Sequence, residues 1–289
     1  VPVSSRSGNS PGAALFVPFV RRYGAVRDDQ DLEGAAAMQA EIKGSTMPVL
    51  EVQLGAGEYV VTPHGELSWM SANVQMSQTM SGGAPGGGGG GFMGAMKRVL
   101  GGGSLFVTQY TAQGGPGLVA FASKVPGHIV PVDIAPGRSV MVHRHGWLAG
   151  TPGITPTVGF QQSFRGGMWG GDGFVLQKLE GQGRAWVELS GELTTYTLGP
   201  GQTMLVHPGH VGMFDQSVQF TLTRVPGIAN KVFGGDGFFL VALTGPGQIW
   251  LQSMPLPNLA HSLAPYLPAS GAENAEAAGV GGLIGGMLR

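Results

Sequence analysis

The chain has 289 residues, only 11% of them charged, and its 16 Lys+Arg against 17 Asp+Glu leave a net charge of −1. That balance argues against broad electrostatic capture of nucleic acid. The absence of Cys excludes disulfides, thiolate metal sites and cysteine nucleophiles, and no apolar run approaches the roughly 18 residues a membrane-spanning helix needs.

Segment 1–27 carries Arg6, Arg21, Arg22 and Arg27 and no acidic residue before Asp28. Such a bias is that of an organelle transit peptide, but Pro2, Pro11 and Pro18 interrupt the amphipathic helix one would need. Residues 1–37 are therefore expected to be a flexible leader, with the folded region starting at Met38. From Glu41 onward, short β-type runs alternate with Gly-containing turns. Apolar side chains recur at every second position in Val49–Leu54, His128–Ile134 and Leu193–Leu198, the period of a half-buried strand. The turns that follow are Gly55-Ala56-Gly57, Ala135-Pro136-Gly137 and Gly199-Pro200-Gly201, the last two 64 residues apart. Gly170-Gly171-Asp172-Gly173-Phe174 and Gly234-Gly235-Asp236-Gly237-Phe238 share that spacing. Each leads to an aromatic strand, one holding Trp186 and the other Trp250. A fixed period of this kind predicts tandem units. The expected fold is all-β: three repeats at about 41–126, 127–191 and 192–268, with a tail at 269–289. Trp69, Trp147, Trp169, Trp186 and Trp250 are expected in the core or an interface.

The first unit carries an insertion at 81–103. Its glycine run 86–91 lacks the Lys-Ser/Thr of a phosphate-binding loop. Phe92, Met93, Met96, Val99 and Leu100 fall on one helical face beside Lys97 and Arg98. Such a face suits either a plug against the β-scaffold or contact with a membrane surface or partner. A short closing helix is expected at 258–267.

Histidines offer the remaining chemistry. His143 and His145, six and eight residues after Gly137, match the opening of a cupin metal motif, because a strand's period of two puts alternate imidazoles on one face. The carboxylate that motif needs is missing, since Ala149 and Gly150 occupy its places. The repeat-equivalent positions Pro63, His143 and His207 form no symmetric ligand set. His143, His145, His207 and His210 are thus weak metal candidates, read as surface or turn residues. No nucleophile elbow of the Gly-x-Ser-x-Gly type is present. Lys97, Arg98 and Lys124 alone supply positive charge between Leu67 and Val132, too little for tight phosphate binding unless an oligomer multiplies it.

The ordered set Gly101-Gly102-Gly103-Ser104-Leu105-Phe106, Gly171-Asp172-Gly173-Phe174, His207-Pro208-Gly209-His210-Val211 and Gly235-Asp236-Gly237-Phe238 resembles the altered inheritance of mitochondria protein twenty-four family. The likeness continues through Gly245–Gln252 and Leu263–Pro268, and covers about 38–268. Asp172 and Asp236 stand where relatives often have Glu. The resemblance implies a double-stranded β-helix or barrel-like sandwich, similar to the trp RNA-binding attenuation protein, and a homo-oligomer. It also implies association with the mitochondrial inner membrane in eukaryotic relatives, and it transfers no catalytic residue. The expectation is a non-enzymatic oligomeric scaffold or binding protein without a cofactor, with itself as first partner and a membrane surface or membrane protein as second. Its expected location is cytoplasmic and peripheral to the inner membrane, or mitochondrial in a eukaryote. The alternatives are a cupin-like metal-dependent enzyme and a nucleic-acid or small-ligand binding regulator. So low a charge fraction favours burial between subunits, because few charges remain to coat a lone monomer.

Overall fold

A computed structural model describes residues 38–80, 106–162, 174–224 and 239–266. The leader 1–37, the insertion 81–103 and the tail 269–289 lie outside the described residues.

Strand β1 (Gln39–Lys43) precedes six strands: β2 (Val49–Leu54), β3 (Tyr59–Pro63), β4 (Trp69–Met70), β5 (Val74–Met80), β6 (Phe106–Ala112) and β7 (Gly117–Ala122). Six more follow: β8 (Gly127–Ile134), β9 (Val140–His143), β10 (Trp147–Gly150), β11 (Ile154–Gln162), β12 (Phe174–Gly181) and β13 (Gly183–Ser190). The last set is β14 (Leu193–Leu198), β15 (Thr203–Val206), β16 (Val211–Asp215), β17 (Gln219–Arg224), β18 (Phe239–Thr244) and β19 (Gly247–Gln252). The fold is all-β, as expected; helix α1 (Leu256–Leu263) and two 3-10 turns are the helical elements among the described residues.

Pairing is antiparallel throughout and follows one pattern. β2 pairs with β7, β8 with β13, and β14 with β19. β3 pairs with β6, β9 with β12, and β15 with β18. β4 lies on β7, β10 on β13, and β16 on β19. Two seams then connect distant parts of the chain. β3 meets β10 through Val61 and Gly150, and β9 meets β16 through Met141 and Phe214. These seams produce two six-stranded sheets, β5-β6-β3-β10-β13-β8 and β11-β12-β9-β16-β19-β14. The ends of the chain supply smaller sheets, β1-β2-β7-β4 and β15-β18-β17.

The sequence periodicity explains the outer strands. In β2, Leu50, Val52 and Leu54 are buried, while Gln53 faces solvent and Glu51 is half-buried. The same rule fails in the centre. Every residue of β10 is buried, and so is every residue from Ala185 to Ser190 of β13, because these strands sit inside a sheet and are covered on both faces. Trp147, Trp186 and Trp250 are core residues, whereas Trp69 is exposed.

Local hydrogen bonds repeat with the strands. The Ser71 Oγ accepts from Leu118 N at 2.9 Å, the Thr151 Oγ1 from Arg184 N at 3.0 Å, and the Asp215 Oδ2 from Gln248 N at 2.7 Å. Each of these donors is the second residue of β7, β13 or β19. The hairpin between β12 and β13 depends on glycine. Gly181 has φ +110°, and a Cβ there would collide with the Gly153 carbonyl oxygen, whereas Gly201, at φ +74°, faces open space. Gly181→Ala should therefore lose about 2–3 kcal/mol in urea unfolding and Gly201→Ala only about 1 kcal/mol. Equal losses would show that the close approach at Gly181 is unimportant.

Candidate functional site

His143 ends β9, and its Nε2 lies 3.1 Å from the Glu188 carbonyl oxygen on β13. Burial of the imidazole pushes its pKa down to about 4, against the opposing Glu188 bond and with a smaller push from His145. His145 does not share that environment. The Gly146 N–H donates to the His143 carbonyl at 2.9 Å, closing a turn over Arg144 and His145. The strand period stops at His143, so His145 is exposed on the turn, and the two-imidazole face expected from the sequence does not form.

His207 and His210 flank a 3-10 turn, Pro208–His210, with ring centroids 5.8 Å apart at 70°. Burial lowers the His207 pKa, and His210 lowers it further. The His210 Nδ1 lies 2.8 Å from the Gln252 carbonyl oxygen, and the Gln252 amide donates to Gly209 O at 3.0 Å. Among the described residues no three His, Asp or Glu side chains gather as metal ligands. His143 and His210 tie strand ends to neighbouring backbone, and His210 and His145 lie in turns. Phe92, Met93, Met96, Lys97, Arg98, Val99 and Leu100 lie outside the described residues, as does Trp169.

Glu188 went unnoticed in the sequence. It shares a strand face with Trp186, and that parity was the available signal. It is buried, and its Oε1 accepts from Lys124 N at 2.9 Å. Burial raises its pKa, opposed by the Lys124 amide and ammonium. Gln252 performs the corresponding task with a neutral amide, its Oε1 accepting from Ser190 N at 3.0 Å. Both side chains close the chain where it passes from one set of strands to the next. An open polar cleft of about 340 Å³ lies between β8 and the β16–β19 pair. Its lining groups are engaged with one another: Asp215 holds the Gln248 amide, and the Ser139 hydroxyl meets the Gln216 side-chain oxygen.

The two terminal sheets present a different kind of site. Among the described residues β4 has a sheet neighbour on one side, β7, and β15 likewise has only β18. Trp69 and Met70 on β4 are 47% and 37% exposed, and Leu205 on β15 is 58% exposed. β15 reads Thr203-Met204-Leu205-Val206, with no Lys, Pro or bulge of the kind that guards a free edge. Met70 and Leu205 were not singled out in the sequence, because an alternating strand looks the same whether or not a neighbour lies beside it.

The fold and these edges define an all-β protein of linked antiparallel sheets whose two terminal sheets carry apolar edge strands, the short β4 and the unguarded β15. Residues 40–254 match the model of the family described as mitochondrial biogenesis AIM24, and the chain belongs to that family. It is 27% identical over 225 residues to an uncharacterised protein of Streptococcus pyogenes serotype M6, an alignment covering 77% of this chain and 88% of that protein. A crystal structure of a Streptococcus pyogenes protein superposes with a TM-score of 0.63 at 24% identity, over 80% of this chain and all of the other. That likeness is one of fold.

The His143 environment has a measurable consequence. Its folded pKa lies below the ordinary 6.5, so the stability tied to the neutral ring is present above that value and is lost as pH falls toward about 4. Wild type should lose about 2–3 kcal/mol more than His143→Gln between pH 7 and pH 4 in urea unfolding. Parallel stability curves would mean that the ring is solvated in the folded protein.

Proposed function

We propose that the chain is a tandem of three like units, β2–β7, β8–β13 and β14–β19, that works as a non-enzymatic scaffold by assembling into an oligomer. The observation that carries this reading is the pair of apolar edge strands in the two terminal sheets, β4 and β15, each with a strand neighbour on one side only among the described residues. An exposed edge with unguarded amides and carbonyls is a template for pairing. Here it coincides with Trp69, Met70 and Leu205, the large apolar side chains that interfaces favour in their buried centres. The recurrent backbone-amide hydrogen bonds accepted by Ser71, Thr151 and Asp215 support three like units.

Native mass spectrometry of the purified full chain tests this reading. The expected spectrum shows a discrete multiple of the chain mass without an added ligand, and a single chain mass after denaturation. A monomer at every concentration contradicts it. A stoichiometric extra mass lost on denaturation would favour the metal-enzyme or small-ligand alternative.

A further inference from the structure

We infer that successive copies of this chain join head to tail, β15 of one copy pairing antiparallel with β4 of the next in the register Leu205 to Met70 and Val206 to Trp69. The inference rests on the scaffold reading and names the joint that such a scaffold would use.

Two seams inside one chain set the pattern. Ser71, Thr151 and Asp215 each accept the second amide of the strand that follows in its own unit, so they occupy one position in three units. The residues just before them are equivalent as well: Met70 with Gly150 and Phe214, and Trp69 with Ala149 and Met213. Pairing confirms this alignment, since Met70, Gly150 and Phe214 face Val119, Ala185 and Ile249, each two residues after the glycine that opens its strand. On the other side of the seam, the turn glycines Gly57, Gly137 and Gly201 share a positive φ and align Val61, Met141 and Leu205.

Inside the chain these positions meet twice. Gly150 is opposite Val61, and Phe214 is opposite Met141, with Met213 opposite Val142. The third pair in the series is Met70 and Leu205, and among the described residues of one chain these have no such partner. Exposure follows the same division. Ala149, Met213 and Phe214 are buried to within 1% at the inner seams, and Val61 is 6% exposed, whereas Trp69, Met70 and Leu205 are 37–58% exposed at the ends. Of the four residues in this third pairing, Trp69, Met70 and Leu205 are the ones left in water, while Val206 is packed in its own core. Joining β17-β18-β15 of one copy to β4-β7-β2 of the next rebuilds the strand order of the two inner sheets, with β1 added at the far edge.

The two patches differ from each other, so the joint is heterologous. It propagates into a ring where the rotation closes and into a filament where it does not. This geometry commits the edges to a second copy of the chain and not to an unrelated strand.

The chain has no native Cys, so cysteine pairs report the joint cleanly. Directly opposed residues in an antiparallel pair fall within disulfide reach. Met70→Cys and Leu205→Cys are surface substitutions that the fold should tolerate. Under mild oxidation, an equimolar mixture of the two full-length variants should give a disulfide-linked dimer, and each variant alone should remain uncrosslinked. Leu205→Lys should reduce the assembly to monomers, since a lysine on an edge strand opposes pairing. Crosslinking of either variant with itself would overturn the inference in favour of a two-fold joint. An oligomer by native mass spectrometry that gives no crosslink in the mixture would overturn this joint and leave the scaffold reading standing. A protein that stays monomeric throughout, with the edges covered by another segment of its own chain, would overturn both.

Discussion

Sheet hydrogen bonding across the two seams, β3 with β10 and β9 with β16, is the constraint on which the rest of the structure depends. Without the seams, the strands would form separate three-stranded pieces, each with one face and one edge in water. Three strands with a single apolar face are close to the minimum for independent stability. The seams convert β3, β10, β9 and β16 into inner strands, around which Trp147, Val142, Met213 and Phe214 are buried. They also explain the low charge content, because a strand covered on both faces has no solvent side to decorate.

Polar groups buried by this arrangement need partners. Glu188 and Gln252 meet that need at corresponding places, each accepting a backbone amide where the chain leaves one set of strands for the next. The carboxylate carries a desolvation cost that the amide avoids, visible in the raised pKa of Glu188. Lys124 offsets part of it through its amide and its charge. Its ammonium pairs with Glu66 at 2.6 Å, a half-exposed contact of small energetic weight. His143 fits the same scheme, bonded to the backbone of Glu188 and kept neutral by burial.

The all-β class, the strand boundaries near Gly57, Gly137 and Gly201, and the burial of Trp186 and Trp250 were legible because each depends on local signals: alternation, turn glycines and a recurrent spacing. The closing helix was legible too, though it begins at Leu256 and not at Asn258. Burial on both faces of β10 and β13 was not legible, since it depends on which strands become neighbours, and periodicity carries no information about that. His143 and His145 do not share a strand face for a local reason, the turn closed by Gly146, which ends the strand one residue after Val142. Exposure of Trp69 was not legible, because its residue type fits the core and an interface equally. Its position on a strand with one neighbour decides the matter, and that is a property of topology.

Backbone hydrogen exchange of the intact protein tests the central claim most directly, because it reports whether the open edges are paired in solution. The account expects the amides of β15 that point away from β18, and those of β4 that point away from β7, to exchange as slowly as the amides of β9 and β16 at the inner seam. That protection should disappear on dilution to monomer. Fast exchange at both edges in the concentrated protein, beside slow exchange at β9 and β16, would contradict the account.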